Sequence, residues 1–77
     1  MPMPAHERAQ AVAAAQRDVT ERGIAVRSLE PVMVIDVEDW WVVHFKRDEP
    51  PGQRSIPGTV MFEVDKTTGA VTLIMGM

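Results

Sequence analysis

Trp40-Trp41-Val42-Val43-His44-Phe45-Lys46, then Thr59-Val60-Met61-Phe62-Glu63-Val64-Asp65, then Ala70-Val71-Thr72-Leu73-Ile74-Met75 are the stretches whose reading decides the fold. β-branched and aromatic residues dominate them, which suits a pleated, half-buried backbone. Lys66-Thr67-Thr68-Gly69 separates the last two, with glycine at the position that takes positive φ in a type I turn followed by a bulge. Upstream, Val32-Met33-Val34-Ile35-Asp36-Val37 reads as a further strand, and Glu38-Asp39 as a two-residue turn. The pattern spells an antiparallel meander of three to four strands. Ile24–Glu30 is a connector or a short edge strand, stopped by Pro31.

Ahead of the meander, Ala5 to Arg22 contains neither proline nor glycine and is rich in strong helix formers. Pro4 suits a first helical turn, and Gly23 stands where a left-handed C-terminal cap belongs. Ala5, Ala9, Val12, Ala13 and Val19 define the expected apolar stripe. The expected fold class is therefore α+β, a single small domain over 1–77 with one N-terminal helix packed on one face of the meander.

Side chains alternate along a strand, so the period of two sorts this sheet into two faces. Trp41, Val43 and Phe45, Val60, Phe62 and Val64, and Val71, Leu73 and Met75 share the face expected under the helix, with Met33, Ile35 and Val37 as the fourth row. The outer face then carries Trp40, Val42, His44 and Lys46, Thr59, Met61, Glu63 and Asp65, and Ala70, Thr72 and Ile74, with Val32 or Val34 alongside. A one-layer sheet normally shows water a polar face. Here Trp40, Val42, Met61, Ile74 and Val34 form an apolar patch without a second helix to cover it, and such patches mark interfaces.

Composition narrows the function classes. A formal net charge of −3 and the lack of a basic stripe argue against nucleic acid as a partner. No cysteine is present, so neither a disulfide framework nor thiol chemistry is available. No apolar run approaches the roughly 20 residues that span a bilayer. Met1-Pro2-Met3-Pro4 lacks the basic start and apolar core of a secretory signal, so a cytoplasmic location is expected. His44 stands without an acid or nucleophile pattern, and His6 is its only fellow histidine. Asp36, Glu38 and Asp39 cluster near a turn without calcium-loop spacing, Ser28 and Ser55 lie outside nucleophile motifs, and Gly52 and Gly58 flank no phosphate loop. We expect no enzyme activity, no cofactor and no metal.

Trp41 and Val43, Pro57-Gly58, and Val60, Phe62, Val64, Asp65, Lys66, Gly69 and Val71 give the second half an order that resembles the small bacterial cystatin-like, or nuclear-transport-factor-like, group. That group includes immunity proteins of polymorphic toxin systems and the similar PepSY-type modules. The resemblance implies a cytoplasmic protein that binds and neutralises a toxin without chemistry, and it carries over no toxin-contacting residue. The functional expectation is a protein-binding module acting through Trp40, Val42, His44, Met61 and Ile74 and the 47–58 loop. The alternative is a structural homodimer that buries the same face. A ligand carrier with a pocket between helix and sheet is the third reading.

Overall fold

Glu7, not Pro4 or Ala5, begins the helix. In the computed structural model, which describes residues 3–48 and 58–75, the backbone N–H of Glu7 donates to Gln10 Oε1 at 2.9 Å, and helix α1 runs Arg8–Glu21. Ala5 is excluded because it is already tied to the sheet. Its N–H donates to the Lys66 carbonyl (2.9 Å), and its own carbonyl accepts the Trp41 indole N–H (3.0 Å). At the other end Gly23 takes φ +70 as expected. Its N–H donates to the Thr20 carbonyl and that of Ile24 to the Val19 carbonyl, the paired bonds of a Schellman cap.

The strands are β1 (Met33–Val37), β2 (Trp40–Lys46), β3 (Thr59–Asp65) and β4 (Val71–Met75), hydrogen-bonded in that order as a four-stranded antiparallel meander. Before β1, an isolated bridge joins Val26 to Arg47, with the Arg27 N–H donating to the Lys46 carbonyl and the Asp48 N–H to the Ala25 carbonyl, so 24–30 is a connector pinned to the sheet edge at one bridge. With α1 contacting β2, β3 and β4, the fold is α+β. The expected loop at 47–58 lies largely outside the described residues, including the Pro57 of the Pro57-Gly58 pair. No helix among the described residues is long and apolar enough to cross a membrane.

Val43, Phe45, Val60, Phe62 and Val64 are fully buried against Ala11, Ala15 and Val19, with the Phe45 and Phe62 rings edge-to-face at 5.9 Å. The buried helical stripe is thus 11/15/19, one residue per turn. Ala9 and Ala13, expected in that stripe, face solvent, and Val12 is only half-buried. Alanine occurs all around this helix, so its small apolar side chains do not say which face is which. Of the two valines only Val19 is fully buried, and the stripe through it at spacing four runs over Ala15 and Ala11. Ala15→Leu should then overpack the helix–sheet seam and destabilise by about 1–3 kcal/mol, whereas Ala13→Leu should change stability by less than about 0.5 kcal/mol. Urea unfolding of the two variants separates these faces.

The β1–β2 turn closes on Val37 opposite Trp40, with Glu38 at φ +34. A left-handed backbone costs a residue with a Cβ about 1–2 kcal/mol, most of which glycine avoids. Glu38→Gly is expected to raise the unfolding free energy by about 0.5–1 kcal/mol, read as a higher denaturant midpoint at an unchanged slope. A loss of stability there would mean that the Glu38 side chain is held by the fold.

Candidate functional site: the outer face of the sheet

The two-residue turn sets the parity of β1. Because Val37 pairs with Trp40, Ile35 pairs with Val42 and Met33 with His44, so these three residues share the outer face. This corrects the expected fourth row of the core. Val34 and Asp36, opposite Val43 and Trp41, are the inward positions, and Val34 packs on the core rather than on the outer patch. Asp36, inward by register, stays largely exposed at the sheet's end, where its carboxylate pairs with the Lys66 ammonium, which also lies 4.9 Å from the Trp41 ring centroid. Trp41 is therefore a structural anchor, fixed by Ala5 and Lys66.

The sheet's register also assembles the rest of the outer face. One row is Met33–His44–Met61, the next Ile35–Val42–Glu63–Thr72, and the third Val37–Trp40–Asp65. A register shift beside Met61 places Met75 opposite Met61, out of the Phe62–Leu73 row in which a strict alternation would have continued. Ile74 falls at this irregularity and is 48% exposed.

Of the five sequence-chosen residues, Ile74 is exposed at the irregularity and has no pairing partner among the described residues, while the register brings Trp40, Val42, His44 and Met61, all half-buried, onto one face. Met33 (53% exposed) and Ile35 (39%), which were assigned to the core, add to it. The signal that could have found them was in the turn: a two-residue link forces its flanking residues onto the same side, so an outward Trp40 requires an outward Val37. The apolar area therefore lies mainly over β1 and β2 and reaches β3 at Met61, whereas Glu63, Asp65 and Thr72 make the β3–β4 side polar. Ala5, Ile24 and Val26 pack with the buried stripe of α1 into the core on the opposite side.

His44 Nε2 is enclosed and has no hydrogen-bond partner among the described residues. Among those residues no group of three histidine, aspartate or glutamate side chains is arranged as a metal cage. Asp36, one of the three acidic residues near the first turn, is engaged with Lys66. Elsewhere, an open cleft of about 490 Å³ lies between α1 and the start of β4, lined by Gln10, Ala13, Ala14, Arg17 and Val71 among others.

Asp65 closes the face at the β3–β4 turn. Its Oδ1 accepts the N–H groups of Thr67 (2.8 Å) and Thr68 (3.0 Å). These donors, Thr68 foremost, hold its carboxyl below the ordinary value of 3.8. The lowered folded value means the ionised turn contributes stability that is complete above the unfolded pKa and is lost as pH falls through the folded one. Wild type should therefore lose stability more steeply than Asp65→Ala on acidification below about pH 4, as followed by thermal melts.

No protein-family model matches the chain, and neither a curated protein nor a solved structure matches it.

Proposed function

We propose that this chain is a non-enzymatic protein-binding module of the immunity type, which neutralises a partner toxin by burying the outer sheet face. The observation that carries the reading is the register of β1. It sets Met33 and Ile35, both more than a third exposed, beside Val42, Trp40 and Met61 on the side away from the helix. Exposed apolar area of this kind on a small domain is costly in solubility unless a partner covers it. Trp40 is the natural anchor, since tryptophan is enriched among the few residues that dominate binding energy. Glu63 and Asp65 lie on the polar side, where charge steers approach more than it adds affinity. His44 is flanked across the sheet by two methionines. The resemblance of the second half, from Trp41 to Val71, to cystatin-like immunity proteins supplies the class of partner.

A foreign partner can engage the sheet edge and the 47–58 loop as well as the flat face, and so bury more surface than a face-to-face homodimer confined to that face. The test is capture of a defined partner from the native cell extract by wild type and by the Ile35→Glu/Met61→Glu double variant, with sedimentation of both at micromolar concentration. The proposal expects a wild-type monomer whose capture the double variant abolishes while remaining folded. Capture unaffected by the double variant contradicts it, and a wild-type dimer that the variant dissociates favours the structural homodimer.

A further inference from the structure

We propose that the cross-strand row Met33–His44–Met61 is a binding site for a soft monovalent metal ion, Cu(I) or Ag(I). The three residues are direct partners in register on the outer face, His44 between two methionines. Directly opposed residues hold their Cβ atoms roughly 4.5–5.5 Å apart. An unbranched methionine with three rotatable bonds can therefore bring its sulfur to either side of the imidazole.

The second observation is His44 Nε2, enclosed and without a hydrogen-bond partner among the described residues. A buried polar atom without a partner is destabilising, and packing alone gives no reason for it, because leucine or methionine would fill the same place without that penalty. As a ligand, an imidazole nitrogen between two thioethers makes sense of the row.

The donor set selects the ion. Thioether sulfur is a soft ligand that favours Cu(I), while carboxylates and carbonyls suit hard cations. All three donors are neutral, so a dication would keep its full charge on a half-buried apolar face. A monovalent ion keeps one charge. Glu63, opposite Val42, is one diagonal step from His44, and Lys46, opposite Thr59, is one diagonal step from Met61. The backbone register continues the row to a further methionine position, Met75, on β4.

The inference is independent of the partner-binding reading, since the ion is tested on the isolated chain. Silver nitrate, which is redox-inert here, is titrated into the full chain in chloride-free buffer and followed by the methionine methyl and histidine ring resonances. One equivalent of Ag(I) is expected to shift Met33, Met61 and His44 together, and Zn(II) in tenfold excess not to compete. Met33→Leu, Met61→Leu and His44→Gln should each raise Kd at least tenfold, and Met3→Leu should leave it unchanged. Met-to-Leu changes conserve volume and cost less than about 1.5 kcal/mol, and the wild-type spectra decide even where a variant fails to fold. The proposal is overturned if one equivalent shifts none of the three residues. It is equally overturned if the exposed Met3 methyl responds at the same concentration as Met33 and Met61, or if the three variants bind as wild type does.

Discussion

Gly69→Ala is expected to destabilise the chain by about 3 kcal/mol, the sum of a backbone and a steric effect that arise at the same atom. Gly69 has φ +78, where a residue with a Cβ loses about 1–2 kcal/mol. A Cβ there would also lie 1.6 Å from the Met3 carbonyl oxygen and 2.6 Å from its carbon. Both are main-chain atoms, which cannot rotate out of the way, so the N-terminal segment must lift. With it go the Ala5–Lys66 and Trp41–Ala5 hydrogen bonds, worth about 1 kcal/mol each. At about 4–8 °C per kcal/mol for a domain of this size, the melting midpoint should fall by roughly 12–24 °C. Gly23→Ala is the control. It has φ +70 but nothing within 4 Å of the new Cβ, so only the backbone part, about 1 kcal/mol, is expected. Removing residues 1–3 should reduce the Gly69→Ala effect to that of Gly23→Ala. Equal effects of the two glycine variants in the full chain would show that the N-terminal segment does not lie over the β3–β4 turn.

Phe62→Ala is expected to be the most damaging single change, at about 3–5 kcal/mol. Phe62 is fully buried near the centre of the inner face, pairs with Val43 and Leu73 across the sheet, and meets the Phe45 ring edge-to-face. Truncation leaves a cavity beneath a helix whose alanine face is already close, and it removes an aromatic pair worth about 0.5–1.5 kcal/mol beyond its area. Against a total of about 5–15 kcal/mol for a small domain, this is a large fraction. Its neighbour Met61, one residue earlier and on the other face, should lose about 1 kcal/mol or less as alanine. Denaturant unfolding of both variants checks the alternation of β3. Comparable losses would mean that the two faces of the sheet are equally enclosed.

The meander was legible because its signals are local. Alternating β-branched residues set β2 and β3, a glycine at the bulge position set the last turn, and Gly23 marked the helix end. Three features were not, each for a reason outside its own segment. The helix starts late because Ala5 is claimed by Lys66 and Trp41, far along the chain. The buried helix face could not be told from alanines placed all around it. The inward parity of Asp36 goes with a counter-charge that its own segment does not hold, the Lys66 ammonium 30 residues away. The last misreading put Met33 and Ile35 in the core, and its correction enlarged the candidate surface.

That surface is most directly tested by methyl relaxation in the presence of a neutral paramagnetic cosolute, which reports contact with solvent residue by residue. The account predicts strong enhancement at Met33, Ile35 and Ile74 and little at Val43, Val60 and Val64. Protection of Met33 and Ile35 equal to that of Val43 would contradict it, because the outer face would then be covered and not available to a partner.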